Sequence, residues 1–419
     1  PSLRESIRAL PRPVWILFAG IFINRFGGFV TFFLILYLTR RGFSPAQAGL
    51  AVAAFGAGSV LSNPVSGSLA DRLGRRETLM VASVAAAAAT MALGLASSLP
   101  VVIALAATTG LANQLFRAPA FALVADLVPQ QGRMAAVGIN RLAVNAGFAA
   151  GPAVAGILAD HAFILVFIGD AATSLLFGVI AMLGLPGGAP TKHVPEIRGE
   201  SLRVIARDRS FLLFCVSSLM MSAVYIQTTT AFPLWVHLNG FNNTTYGLLL
   251  GLNGAIVVVL ELALISVTQR FPLRQTIVAG YVLIGVGFAA TGAAHSLIPL
   301  AMTVFVWTLG EMVGFPPGNV WVANVSPEHM RGRYQGVFGM FLAAGATLGP
   351  GVGGLIFQRS PGALWISCGV LGVLAGLMVA LLPHGEKLGS EAGGIRRRRD
   401  DGPGPLPWRR KPGHRERPL

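Results

Sequence analysis

Twelve apolar segments of about 20 residues or more follow one another along this 419-residue chain. A segment of that length crosses the roughly 30 Å hydrocarbon core of a bilayer as a helix, which satisfies its own backbone hydrogen bonds in lipid. The pattern predicts an all-α integral membrane protein with twelve transmembrane helices. The predicted helices cover 14–39, 46–70, 77–98, 100–127, 133–159, 162–185, 210–238, 244–269, 275–295, 297–325, 333–358 and 361–384.

Composition and charge placement agree with a membrane protein. Hydrophobic residues make up 53% of the chain and charged residues 12%, against roughly 25% charged in soluble domains. The first segment is too long for a signal-peptide core, so we expect it to be retained. The net charge of +15 does not indicate a nucleic-acid partner, because 26 of the 32 Lys and Arg lie in the N-terminal arm, the even-to-odd loops and the tail. This distribution predicts that both termini are cytoplasmic, at the plasma membrane.

The chain contains an internal repeat. At a constant offset of 198 residues, Pro119 matches Pro317 and Arg133 matches Arg331, among many other pairs. Two six-helix halves of the same topology, related by an axis along the membrane normal, explain the offset. We expect a basic, disordered tail close to anionic lipid headgroups. The predicted divisions are a first half at 1–186, a cytoplasmic linker at 187–209, a second half at 210–384 and the tail at 385–419.

The loop between segments 2 and 3 carries the most specific motif. Its sequence GSLADRLGRR follows the pattern G-x-x-x-D-R-x-G-R-R, and a degenerate copy, SVTQRFPLR, occupies the corresponding loop of the second half. This signature resembles that of the major facilitator superfamily, and the resemblance extends over about residues 10 to 384. It implies a secondary transporter with two halves that rock against each other. The matching residues are Gly67, Asp71, Arg72, Gly74, Arg75 and Arg76.

The resemblance implies that this loop is a conformational latch on the cytoplasmic side. Gly67 would let helices 2 and 11 approach closely. Asp71 would accept hydrogen bonds from the free N–H groups at the start of helix 11, near Arg333. Arg75 would reach Asp126 at the end of helix 4. The positive-inside rule alone could explain some of the arginines, but it does not require an acid. Two basic side chains would face headgroups or water: Arg72 and Arg76.

A second motif lies in segment 5, where NRLAVNAGFAAGPAVAG resembles the exporter-associated G-P motif of the family. Ala155 stands where the family usually has glycine. Glycines at four-residue spacing make a flat face for helix packing, and proline frees a carbonyl group. Two interpretations stay open, namely close packing common to such transporters and a bias towards export. The motif comprises Gly147, Gly151, Pro152 and Gly156, and its counterpart in segment 11 comprises Gly345, Gly349, Pro350 and Gly354.

Ionisable residues within the segments are functional candidates, because each costs about 2.5–3.5 kcal/mol to insert. Arg25, Arg117 and Glu311 lie on helices that line the central cavity in this family. We hypothesise that Glu311 titrates the coupling proton and that Arg25 or Arg117 tunes its pKa; the alternative is an ion pair that only ties helices together. The usual helix-4 arginine of drug exporters is missing, since 106–109 is apolar.

Other polar residues complete the candidate site. Arg141 and Glu261 lie at similar depths on helices 5 and 8, so we predict an ion pair between the halves. Asp170 has no partner that the sequence identifies. Eight residues on or beside cavity helices are candidate substrate contacts, and the alternative for each is a helix-packing hydrogen bond: Asn24, Asn113, Gln114, Tyr225, Gln227, Asn253, Trp307 and Asn319.

The sequence also limits the chemistry. There is no G-x-x-x-x-G-K-[ST] phosphate loop, no His and Cys ligand cluster and no Ser-His-acid set. We predict neither an enzyme nor a metal or cofactor, with a proton gradient as the driving force. The predicted function is proton-coupled efflux of a small, drug-like or amphipathic solute. The alternatives are a proton-coupled uptake symporter and a non-transporting membrane sensor. A monomer is compatible with the sequence.

Overall fold

The structure is a computed structural model that describes residues 8, 10–129, 132–187 and 200–382. Every regular element in this part of the chain is helical. Twelve helices are long and apolar enough to cross a membrane, which confirms the predicted number. They are α1 (Arg12–Arg40), α2 (Pro45–Leu73), α3 (Arg75–Leu95), α4 (Leu99–Leu127), α5 (Arg133–His161), α6 (Phe163–Gly184), α7 (Arg209–Leu238), α8 (Asn243–Thr268), α9 (Leu273–Thr291), α10 (Leu297–Val325), α11 (Arg331–Arg359) and α12 (Pro361–Ala380).

The outer surface of the helix bundle is apolar. Leu183 and Ile298 are 77% and 74% exposed, which a soluble monomer avoids over a large area. Such side chains face lipid in a multi-pass membrane protein. Successive helices alternate in direction, so α1 begins and α12 ends on one side. We name this side the terminal face, which includes the α2–α3 turn at Gly74, and we name the opposite side the distal face.

The helices form two six-helix halves, α1–α6 and α7–α12, that contact each other mainly along α2 with α11 and α5 with α8. Near the distal face the backbones touch. A Cβ atom on Gly49 would overlap the Pro350 carbonyl group, and one on Gly247 would overlap that of Pro152. Near the terminal face, no described atom of another helix lies within 4 Å of the Cβ position of Gly67. The halves are therefore closed at the distal face and apart between α2 and α11 at the terminal face.

Three helices are interrupted near the bilayer middle. α1 breaks at the glycine pair 27–28, α4 between residues 114 and 117, and α7 at a 3-10 turn over 226–228. Irregular backbone at membrane depth is tolerated only where it is buried in protein or lines a cavity. Each break directly adjoins a large polar side chain, so the breaks mark the interior site. The three side chains are Arg25, Arg117 and Tyr225.

The predicted linker and tail are described only in part. A short helix, Glu200–Arg207, lies within the predicted linker, whereas residues 188–199 lie outside the described residues. The predicted basic tail, 385–419, also lies outside them.

Candidate functional site

The break in α1 positions Arg25. The backbone N–H of Val30, at the start of the second piece of α1, donates to Asp170 Oδ2 at 3.0 Å. Asp170 belongs to α6 and is 1% exposed. A Cβ on Gly27 would overlap the side chain of Thr173, also in α6. Asp170 therefore caps the second piece, and Arg25 lies in the last turn of the first piece, where the helix dipole favours a cation.

A cavity of about 340 Å³ lies among α1, α4 and α5, and we name it the arginine cavity. Arg25 Nη2 donates to Gln114 Oε1 at 3.2 Å. The Arg25 guanidinium carbon lies 4.7 Å from the ring centroid of Phe116 and 5.6 Å from that of Phe148, within the range of a cation–π contact. Arg117 is exposed to this cavity. The cavity is thus a cationic pocket with aromatic walls.

A second cavity, of about 380 Å³, contains Glu311, and we name it the glutamate cavity. Asn253 Nδ2 donates to Glu311 Oε2 and also to Thr308 Oγ1, each at 3.0 Å. Tyr225 supplies a further hydrogen bond to the carboxyl group. The neighbours of Glu311 are therefore neutral. Because Glu311 lies across the interface from the arginine cavity, the structure places neither Arg25 nor Arg117 in contact with it.

A third cavity, of about 660 Å³, lies between the halves and is named the inter-half cavity. It is lined by the central part of α2 (52–63) and the terminal and central parts of α11 (335–347), together with parts of α1, α4 and α7. Gln114 and Arg117 line both this cavity and the arginine cavity, so the two adjoin.

The candidate substrate contacts divide into two groups. Gln114, Tyr225, Asn253 and Trp307 line the three cavities above, and Asn319 lines a fourth, of about 280 Å³, within the second half. The remaining three do not line the cavities described here. Gln227 is 3% exposed, and its side-chain nitrogen donates to the Ala223 carbonyl group beside the α7 break and to the Gly349 carbonyl group of α11, each at 3.0 Å. These three are Gln227, Asn24 and Asn113.

The loop motif is only partly assembled. Arg75 forms an ion pair with Asp126 and donates to the Ala122 carbonyl at 2.9 Å, so α3 is tied to α4 as the resemblance implies. Asp71 forms no hydrogen bond or ion pair with any described residue, and Gly67 is not packed. The physical reason is the gap between α2 and α11. Other members act locally or face outward: Gly74 has a φ of 97°, Arg76 pairs with Glu77 at 3.2 Å and Arg72 is exposed.

The glycines of the α5 motif pack against two different partners. Gly147 and Gly151 lie against the α1 backbone at Arg25 and Phe26. Gly156 lies against the start of α8, in the other half. The counterpart in α11 repeats this arrangement, with Gly345 and Gly349 against α7 and Gly354 against the start of α2. The motif thus ties each half together and also closes the distal face.

Two features join α5 to α8. Arg141 and Glu261 form an ion pair across the two halves. At the distal end, the Asp160 carboxylate accepts four hydrogen bonds from the first residues of α8: from Asn243 N at 3.0 Å and Nδ2 at 2.8 Å, and from Thr244 N at 2.9 Å and Oγ1 at 2.6 Å. We name this contact the distal cap.

The distal cap has a weaker counterpart between α11 and α2. Gln358, which lies 198 residues after Asp160, accepts from the backbone N–H of Ala46 at 3.4 Å. Ala46 in turn lies 198 residues before Thr244. The distal cap was not among the contacts predicted from the sequence. The available signal was the repeat itself, since it aligns the ends of α5 and α11 with the starts of α8 and α2.

Comparisons with known proteins agree with this architecture. A model of the Major Facilitator Superfamily matches residues 17–266 and 231–412. The uncharacterized MFS-type transporter YqjV of Bacillus subtilis is 25% identical over 350 residues, which cover 81% of this chain and 85% of the relative. The multidrug resistance protein MdtH of Cronobacter sakazakii is 25% identical over 320 residues, covering 75% and 79%. A crystal structure of the nucleoside transporter NupG, a D323A mutant, superimposes with a TM-score of 0.77 at 13% identity, covering 91% of this chain and all of the other.

Proposed function

Because this chain belongs to the major facilitator superfamily, whose members are membrane transporters and not enzymes, we propose that it exports a small amphipathic or drug-like solute in exchange for protons. The two halves would expose the cavities alternately to the two faces. The placement of the basic residues supports a cytoplasmic terminal face at the plasma membrane. In the conformation described here, the cavities would then load from the cytoplasm.

Glu311 is the observation that carries this proposal. It is the one carboxyl group among the residues that line the described cavities, and its partners Asn253 and Tyr225 are neutral. A carboxyl group near the middle of a membrane-spanning helix is costly to insert, so such groups are usually functional. Proton relay is a common function for them. Its position between the halves allows it to meet water from either face in turn.

Packing supports the alternation. Glycines near the distal face, such as Gly49 and Gly247, already contact the opposite half, whereas no described atom of another helix lies within 4 Å of the Cβ positions of Gly67, Gly336 and Gly339 nearer the terminal face. Small residues allow close helix approach in membranes. We propose that the second set packs when the terminal face closes, and that Asp71 then reaches α11.

The relative named as a multidrug resistance protein supports a drug-like solute and the export direction. The glycine and proline motif of α5 supports the same direction through its resemblance to the exporter-associated motif of the family. Anionic headgroups would surround the basic terminal loops.

Proton movement in proteoliposomes tests the proposal. Vesicles with equal internal and external pH, a clamped membrane potential and a luminal pH-sensitive dye receive one compound at a time from outside. Entry of a substrate in exchange for protons makes the lumen more alkaline, whereas symport makes it more acidic. We expect alkalinisation that is lost in Glu311→Gln and retained in Glu328→Gln, which makes the same chemical change at an exposed loop position.

Two results would contradict the proposal. Acidification of the lumen when a substrate enters would show symport and not antiport. Unchanged coupled flux in Glu311→Gln would remove Glu311 from proton coupling. Solute exchange by Glu311→Gln without a pH change would instead separate binding from proton movement and support the assigned role.

A further inference from the structure

The arginine cavity holds two cations and no acid. Arg25 and Arg117 both line it, and the other lining residues are apolar or neutral, including Gln114 and Asn140. Neither arginine forms an ion pair with any described residue. The recorded polar contact of the Arg25 guanidinium is its bond to Gln114, so most of its five donors are unused.

This arrangement is unfavourable without a ligand. The two arginines line the same cavity, and like charges repel. Arginines within a membrane normally pair with acids or backbone carbonyl groups. The nearest candidate acid in the cavities, Glu311, is occupied by Asn253 and Tyr225 in the glutamate cavity. The missing partner is therefore an anion from outside the chain.

The shape of the cavity restricts that anion. Phe121 and Phe148 provide apolar wall on the α4 and α5 sides. Arg117 stands at the junction with the inter-half cavity, so a bound molecule can extend from the arginines into the path between the halves. A guanidinium fork matches the two oxygens of a carboxylate, or two of the three oxygens of a sulfonate.

We infer that the arginine cavity binds the anionic group of the transported solute, which is a small organic carboxylate or sulfonate with an aromatic or apolar body. This inference rests on the proposed transport function and narrows it from amphipathic solutes in general to anionic ones. It also assigns separate roles to the charged residues: the arginines bind the solute, and Glu311 carries the coupling proton.

Three probes of nearly equal shape test the charge preference. Purified protein in nanodiscs of phosphatidylcholine alone is titrated with 1-naphthoate, its neutral methyl ester and the cation 1-naphthylmethylammonium. We expect naphthoate to bind at least about tenfold more tightly than the other two, because a charge-assisted hydrogen bond contributes roughly tenfold to hundredfold in affinity. Equal binding of the three probes, or no binding of naphthoate, would overturn the inference.

Arg117→Gln is the decisive variant, because Arg117 is exposed to the cavity and is not part of the helix packing at the α1 break. It should weaken naphthoate binding by about tenfold or more and leave the methyl ester unaffected. Arg117→Lys should recover part of the loss. Arg359→Gln, at the exposed end of α11, is the matched control and should bind naphthoate like the parent. An Arg117→Gln protein that binds naphthoate normally would refute the assignment.

Further arms separate the sources of the anion and the two proposals. If phosphatidylglycerol in the nanodiscs displaces naphthoate and copurifies less with Arg117→Gln, the site belongs to a lipid headgroup and the inference about the solute is wrong. If a cationic compound drives proton flux and the Arg117 variants do not change that flux, the proposed transport function is supported and the inference of an anionic solute is wrong. If naphthoate binds through Arg117 but is not transported and drives no proton flux in vesicles, the anion site is supported and the proposed transport function is contradicted.

Discussion

The distal cap should set the balance between the two conformations. In this structure, whose distal face is closed, Asp160 binds the start of α8 through four hydrogen bonds of 2.6–3.0 Å. The first N–H groups of a helix have no partner within the helix, and a carboxylate is the preferred acceptor there. Replacing Asp160 with alanine should therefore destabilise the closed distal face selectively.

The size of the effect can be worked from the contact. A charged hydrogen bond contributes about 1.5–3 kcal/mol and an N-cap residue about 0.5–2 kcal/mol. Because Asp160 is exposed, solvent screening reduces the first figure, and about 2 kcal/mol is a reasonable sum for Asp160→Ala. This corresponds to a shift of roughly 30-fold. A distal-open form present at about 1% would rise to roughly a quarter of the molecules.

Distances between spin labels measure this shift. Labels at Ser97→Cys and Ser296→Cys, which are exposed in distal loops of the two halves, are read by double electron–electron resonance. The native cysteines, Cys215 and Cys368, are buried and can be replaced with serine. We expect a longer-distance population in Asp160→Ala.

A matched control and a clear refutation are available. Gln358→Ala removes one long bond of 3.4 Å at the related position and should shift the populations about twofold or less, since a single weak neutral bond contributes little. If the distances of Asp160→Ala equal those of the parent, or if Gln358→Ala opens the distal face as much, the distal cap does not control closure.

Two further pairs of substitutions test the packing. Asp170→Leu should lower the free energy of unfolding by about 1–3 kcal/mol, because it leaves the buried Val30 N–H without an acceptor. Asp170→Asn should lower it by less. Equal melting temperatures for the two variants would argue against the role of Asp170 as a cap. Gly49→Ala should cost about 1–3 kcal/mol by overlap with the Pro350 carbonyl group, whereas Gly67→Ala, in open space in this conformation, should be neutral or slightly stabilising in the same thermal unfolding measurement.

Local features of the chain predicted much of the architecture. Segment length and hydropathy predicted twelve membrane-spanning helices, and the structure has twelve. The interruption of α1 falls at a glycine pair, a signal that was visible but not used. The interruptions of α4 and α7 each lie just before a proline, Pro119 and Pro233, which lacks the N–H group that would bond the carbonyl four residues earlier. This signal was also visible and not used.

Polar contacts were less predictable. The structure brings Arg141 to Glu261 and Arg75 to Asp126, both expected from the family resemblance. It also gives Asp160 and Asp170 partners that the sequence did not indicate. In contrast, Glu311 contacts Asn253 and no arginine, because depth in the bilayer does not reveal which way a side chain points around its helix.

The sequence by itself determined the class, the number of helices and the repeat. These follow from the length of apolar segments and from residue spacing, which the thickness of a bilayer and the chain alone impose. Only the tertiary structure decided that the distal face is closed, that the Asp71 side chain does not contact α11, and that Arg25 and Glu311 lie in separate cavities. Such contacts depend on how helices rotate and pack against each other, and a transporter has at least two packings of nearly equal free energy.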